Sequence, residues 1–277
     1  MRIAGTIHPA VTRRAALGLS IGGMAMIACG RDLLAAGWTE RVELETVFAE
    51  NGVAGTFVLH DVEADRFTLI NAERAKMRLV PASTFKIANT IIALETNVVK
   101  DENEIIPYGG RPQPFKQWEK DMSMREAIAL SAIPIYQELA RRIGLDRYRE
   151  WLARLDFGNR QTGTVVDTFW LDGPLEISAV EEARFAGKLA QQMLDASARS
   201  QSIARDIIRL ESHDGKILYG KTGWRFSSNP NLGWWSGWVE RNSKIWAFSL
   251  NIDMPAATDA PKRIVVGKAM LSKLGIL

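Results

Sequence analysis

The chain has one cysteine, Cys29, and three histidines, His8, His60 and His213, in 277 residues. A single cysteine excludes an intrachain disulfide and any metal site built from several cysteines. No His-x-x-x-His or Glu-x-x-His pair occurs, so the usual zinc spacings are missing. There is no glycine-rich phosphate loop and no repeat of solenoid length. An excess of one charge is missing too. The net charge of +3 comes from Arg2, Arg13 and Arg14, because residues 1–29 hold no acid. Without those three, 32 basic residues face 32 acidic ones, and no basic stripe remains to neutralise nucleic-acid phosphates. The longest apolar stretch, Ala15 to Ala28, is too short and too rich in Gly and Ala for a membrane span.

That stretch follows Thr12-Arg13-Arg14 and reads as an export signal over residues 1–29. Paired arginines before a weakly hydrophobic segment resemble a twin-arginine signal; a general secretory signal with two arginines is the other form it could take. Cys29 follows Met26-Ile27-Ala28 and precedes Gly30, like a lipobox with Met where Leu is usual. Lipidation of Cys29 would tether the mature chain to a membrane, its one membrane contact; otherwise Cys29 is an ordinary residue near a cleavage site. The expected location is periplasmic. Gly18-Leu19-Ser20-Ile21-Gly22 matches a nucleophile elbow but lies inside the signal with no strand before it, so it carries no chemistry.

Residues 30–277 are expected to form one catalytic unit. Apolar spacing predicts a helix within 31–50. Two β-branched and aromatic runs, 55–62 and 66–70, predict a hairpin. Pro81 opens a mostly apolar helix through Leu94. Ser123 with Glu126, and Ser178 with Glu181, fit capping boxes, and further helices are expected at 135–143, 145–154 and 178–194. Residues 156–176 lack helical period and read as a long ordered loop. Strands return at 216–223, 233–239 and 245–251, before a last helix over about 261–274. The fold class is therefore α/β of the α+β type. An antiparallel sheet from the two ends of the chain (30–75 and 200–277) is flanked by helices, with a mainly helical part inserted at 76–199.

Ser83 and Lys86 stand three residues apart, which places a hydroxyl and an amine on one face of the first helical turn. With so few histidines, a Ser–His–Asp triad would need His60 or His213, one in a predicted strand and one in a turn-like stretch, and both read as structural or surface residues. A base for Ser83 must then come from elsewhere, and Lys86 is the natural candidate. Lys221-Thr222-Gly223 lies on a predicted strand and can present cationic and hydroxyl groups to an anionic substrate. Ser131 ends a helical segment near Pro134, where its hydroxyl can project into a cleft.

Ser-x-x-Lys together with Lys-Thr-Gly marks penicillin-interacting serine enzymes. The fuller set resembles the class D β-lactamases: Ser83-Thr84-Phe85-Lys86, Ser131-Ala132-Ile133, Phe157-Gly158-Asn159, Phe169-Trp170-Leu171-Asp172-Gly173, Ile177-Ser178-Ala179, Lys221-Thr222-Gly223-Trp224 and Asn251-Ile252-Asp253. Their order covers most of residues 45–275. Two positions depart from the family pattern: Ile133 stands where Val is usual, and Phe157 where Tyr is usual.

The resemblance implies hydrolysis of β-lactams through an acyl-enzyme on Ser83, conferring resistance. It also implies a Lys86 carboxylated by carbon dioxide (from CO2 or bicarbonate) as general base, with no other cofactor and no metal. Carboxylation needs a neutral amine, and burial can lower a lysine pKa by roughly 3 to 5 units. Phe85, Ile133 and Trp170 are the expected apolar shell, with the Trp170 indole N–H donating to the added carboxylate. Ser131 would pass a proton to the leaving nitrogen near Lys221. Thr222, Gly223 and Arg263 would bind the substrate carboxylate, Lys262 and Lys268 being the other cations on that helix. The backbone N–H groups of Ser83 and Trp224 would form an oxyanion hole. Partners are small β-lactams, with no nucleic acid, and the protein is a monomer or homodimer. Two other functions use the same fold. A β-lactam sensor domain is acylated without turnover and is expected behind transmembrane helices and a protease domain. A cell-wall transpeptidase or carboxypeptidase shares the first and last motifs, but not Phe157-Gly158-Asn159 or the Phe169–Gly173 run.

Overall fold

Strands from the two ends of the chain meet in one sheet in the computed structural model, which describes residues 37–277. The expected export signal, Cys29 and the paired arginines lie outside the described residues. β1 (Trp38–Glu40), β2 (Gly55–Asp61) and β3 (Arg66–Ile70) come from the first part. β6 (Arg209–His213), β7 (Lys216–Arg225), β8 (Asn231–Arg241) and β9 (Lys244–Met254) come from the last, while β4 (Ile105–Ile106) and β5 (Met122–Ser123) form a separate small pair. The large sheet runs β1-β3-β2-β9-β8-β7-β6. All neighbours are antiparallel except β1 and β3, which pair in parallel.

Strand alternation sends side chains to opposite faces, and each face has its own helices. Phe57, Leu59, Trp235, Phe248 and Leu250 pack against α1 (Thr46–Glu50) and α9 (Lys262–Lys273). Gly267 lets α9 come down onto the sheet, since a Cβ there would lie 2.3 Å from the Trp235 ring. Val58, Leu69 and Trp234 face the other way, toward α2 (Ala72–Lys76) and α7 (Ala179–Ala190). The remaining helices are α3 (Lys86–Glu95), α4 (Met124–Leu130), α5 (Ile133–Ile143), α6 (Leu145–Arg154) and α8 (Ala198–Ile207). They enclose the largest apolar core, with α3 buried from Lys86 through Leu94 at its centre.

Several expectations are corrected. The described part of the helix expected within 31–50 is a strand, a 3-10 turn over Val42–Glu45 and the short α1; Trp38 sits on a sheet edge beside Phe67, and Val42 is exposed. β6 and α8 were not expected. β6 is exposed at every position, so it shows no alternation, and α8 has a polar sequence capped by Ser197. The two-part division also differs: α7 lies on the sheet strands β2, β8 and β9, whereas α8, inside 200–277 for most of its length, packs on α3. Ser178 and Glu181 do form the full capping box of α7, while Ser123 caps α4 and Glu126 turns to Lys120.

Candidate active site

Ser83 sits in a 3-10 turn, Ala82–Phe85, that leads directly into α3. Three residues per turn stack positions i and i+3 one above the other, so Ser83 and Lys86 meet. Lys86 Nζ lies 2.8 Å from Ser83 Oγ. Ala82, just before the serine, has φ of +51°, a left-handed conformation that costs a non-glycine residue about 1–2 kcal/mol. Ser83 is 6 % exposed and Lys86 is fully buried.

No carboxylate pairs with Lys86 among the described residues; beyond Ser83, its amine lies over the Tyr136 ring at 5.3 Å. Burial, and then the nearby Lys221 charge, hold its pKa well below the usual lysine range. Phe85 fixes the apolar wall around it, with Phe157, Phe169 and Trp170 rings 5.4–5.6 Å away. Phe157, where the family pattern has Tyr, is wholly buried in this cluster and stands edge-on to Phe85 and Phe185. Trp170 is also wholly buried, and its indole N–H has no partner. An unsatisfied buried donor costs free energy, so this N–H fits an acceptor that the unmodified lysine lacks.

Ser131 ends α4 in a left-handed conformation, φ +56°, and the chain reverses there into α5. The turn presents its hydroxyl to β7, where Lys221 Nζ donates to Ser131 Oγ at 3.0 Å and to the Thr222 carbonyl at 2.9 Å. Burial, reinforced by Arg263, brings the Lys221 pKa down to about 7. Arg263 on α9 donates to the carbonyls of Ala260 and Gly223, both at 2.7 Å. Burial also lowers its own pKa, to about 10. Lys262 is paired with Asp259, and Lys268 with Glu211, so Arg263 is the cation of that helix that reaches the cleft.

A cleft of about 230 Å³ brings Ser83, Ser131, Ile133, Thr222, Trp224 and Arg263 to one surface. Lys86, Trp170, Lys221 and Gly223 stand behind that wall rather than on it. The rim lies outside every motif read above: Phe115, Trp118 and Phe226 line the cleft, with the Phe115 and Phe226 rings 6.3 Å apart. Phe115 and Phe226 are exposed aromatics outside any helical or strand period, so no pattern marks them. His60 and His213 take no part. His60 stacks on Phe67 and reaches Asp65 at 2.9 Å; His213 is exposed beside Asp214. Asn251 and Asp253 accept from Arg74 at 2.7 Å, a clamp between sheet and α2.

Residues 56–271 match the penicillin-binding-protein transpeptidase domain family. β-Lactamase OXA-5 of Pseudomonas aeruginosa is 36% identical over 242 residues, 86% of this chain and 91% of that protein. β-Lactamase OXA-48 of Klebsiella pneumoniae is 36% identical over 248 residues, 90% of this chain and 94% of that protein. The crystal structure of FUS-1 (OXA-85), a class D β-lactamase from Fusobacterium nucleatum subsp. polymorphum, superposes with a TM-score of 0.83 at 36% identity, covering 86% of this chain and all of that one. The chain belongs to the class D β-lactamases. No histidine among the described residues lines the cleft, where Ser83 and Lys86 of one turn meet. Among the described residues of this β-lactamase no cluster of His, Cys, Asp or Glu could hold a metal ion.

Proposed function

We propose that the chain hydrolyses β-lactam antibiotics through an acyl-enzyme on Ser83, with Lys86 carboxylated by carbon dioxide as general base, and so confers resistance. The observation that carries this is a wholly buried lysine, without a carboxylate partner, 2.8 Å from a serine hydroxyl. Burial favours the neutral amine, which is the form that can take up carbon dioxide. When bound, carbon dioxide supplies an N-carboxylate on Lys86, a base strong enough to accept the serine proton. The unpartnered Trp170 N–H is the donor that would hold it.

Ser83 Oγ attacks the lactam carbonyl carbon as its proton passes to the base at Lys86. The N–H groups of Ser83 and Trp224 receive the developing oxyanion. The lactam C–N bond then breaks, and the nitrogen takes a proton from Ser131, which Lys221 resupplies. A Lys221 pKa of about 7 suits that task, because donor and acceptor forms coexist at working pH. Thr222 and Arg263, with Gly223 positioning the guanidinium through its carbonyl, bind the substrate carboxylate. Water then cleaves the Ser83 ester with help from the same base. Residues 1–29 support export to the periplasm, where β-lactams meet their targets; cell fractionation checks this.

Steady-state hydrolysis of a chromogenic cephalosporin tests the activity. Continued turnover at many equivalents is expected. A single stoichiometric burst would contradict it and support a sensor.

A further inference from the structure

The turn that carries Ser83 has a second buried ionisable neighbour which the chemistry above does not use. Glu182, on α7, is 1 % exposed. Its Oε1 lies 2.5 Å from Thr84 Oγ1, and the same hydroxyl lies 2.9 Å from the Pro81 carbonyl. A threonine hydroxyl has one proton, and a carbonyl has none to give. If Glu182 were ionised, one proton would have to serve two acceptors. If Glu182 is neutral, it donates to Thr84, and Thr84 donates to Pro81, so every contact is satisfied.

We propose that Glu182 works as a buried neutral acid, a positioning residue that closes the Ser83 turn through Thr84 and Pro81. Pro81 and Thr84 flank the strained Ala82 and the serine itself, so their link fixes both Ser83 Oγ and its backbone N–H. The proposal rests on Ser83 being the nucleophile.

The surroundings favour the neutral form. Burial, chiefly, raises the Glu182 pKa to about 7; the Thr84 hydroxyl pulls the other way, and the adjacent Glu181 charge adds to the rise. Glu181 is itself held by Arg78. The charged groups on elements packed against α7 are engaged elsewhere. On β2, His60 pairs with Asp65 and Asp61 with Arg66. Arg74 of α2 pairs with Asp253 of β9, Lys76 of α2 lies over Trp38, and Lys244 of β9 faces Glu63. From α8, Arg205 pairs with Glu240 of β8, Asp206 with Arg125, and Arg199 reaches the Lys100 carbonyl. Arg241 of β8 reaches the Gly275 carbonyl. Glu73 of α2 adds only negative charge. On α7 itself Arg184 lies over the Phe67 ring, and no cation among the described residues forms an ion pair with Glu182. When it does ionise, at rising pH, it claims the Thr84 hydroxyl proton, and Pro81 keeps only the longer bond from the Thr84 backbone N–H at 3.3 Å.

Glu182→Gln keeps a neutral donor at every pH and tests this. The kcat/KM of Glu182→Gln relative to wild type should be near one at pH 6 and rise on the order of tenfold by pH 8.5. Titration of Lys221, common to both proteins, cancels in the ratio. Parallel profiles across that range would overturn the proposal. A second readout needs no variant and no activity: the infrared C=O band of a protonated carboxylic acid in the wild type. It should be present at pH 6 and disappear with a midpoint near neutrality, and its absence at pH 6 would overturn the proposal even if Glu182→Gln failed to fold. Loss of all β-lactam turnover with this band intact would instead count against the proposed function.

Discussion

At the scale of single residues, the site depends on two lysines whose pKa values burial lowers. Lys221 shows the cost. Its pKa falls from an ordinary lysine value to about 7, so between pH 7 and the usual lysine pKa the folded state binds fewer protons than the unfolded one. Stability therefore rises with pH through that window, and the penalty is full below it. Lys221→Met should be more stable than wild type by on the order of 2 kcal/mol at pH 6, with the gap in Tm closing as pH approaches 10. The same variant should lose proton delivery. Ser131→Ala, which removes the hydroxyl but not the ammonium, should lower kcat/KM by about 10² to 10⁴ with little change in KM. If Ser131→Ala hydrolysed a chromogenic cephalosporin at the wild-type rate, the relay would be wrong.

At the scale of elements, catalysis needs β7 pressed against the Ser83 turn. A Cβ on Gly223 would lie 2.9 Å from the Pro81 carbonyl and 3.0 Å from Trp234 Cβ. Both are parts that cannot swing away, so Gly223→Ala should push the strand outward. The expected loss is about 1–3 kcal/mol of stability and at least tenfold in kcat/KM, read from thermal melts and steady-state rates. The cleft mouth makes a different prediction. Phe226→Ala opens the gap to Phe115 and should raise KM for β-lactams with aryl side chains more than for those with small ones. Equal effects on both would show that the rim does not touch the side chain. Elements of this kind differ in how well a sequence shows them. Ser83, Lys86 and the Ser178 cap were legible because helical geometry converts spacing directly into contact. Edge strand β1 was not, because Trp38, Val42 and Val47 imitate a helical face while the chain turns. β6 has no buried side to print an alternation. Glu182 and Thr84, 98 positions apart, meet only once α7 is laid on the sheet, and no local pattern encodes that.

At the scale of the whole molecule, the sheet and the helical part each supply half of the site. Ser83 and Lys86 stand at the start of the buried α3, Ser131 in the α4–α5 reversal, and Lys221 to Trp224 on β7, the strand beside the edge strand β6. The apolar core that surrounds α3 is also what lowers the Lys86 pKa, so packing and chemistry are one feature. Charge offers a global check. Residues 30–277 carry no net charge at neutral pH, against +3 for the full chain, so the protein lacking 1–29 should not bind a cation exchanger near neutrality. Strong retention would mean that the charges are not evenly spread. The central claim, a neutral buried Lys86 that takes up carbon dioxide and serves Ser83, has its own measurement. Protein equilibrated with ¹³C-bicarbonate should show one carbamate resonance that Lys86→Ala lacks. Turnover of a chromogenic cephalosporin should fall when the enzyme is acidified and degassed, and return with bicarbonate. An enzyme that turns over undiminished without bicarbonate, and shows no such resonance, would contradict the account.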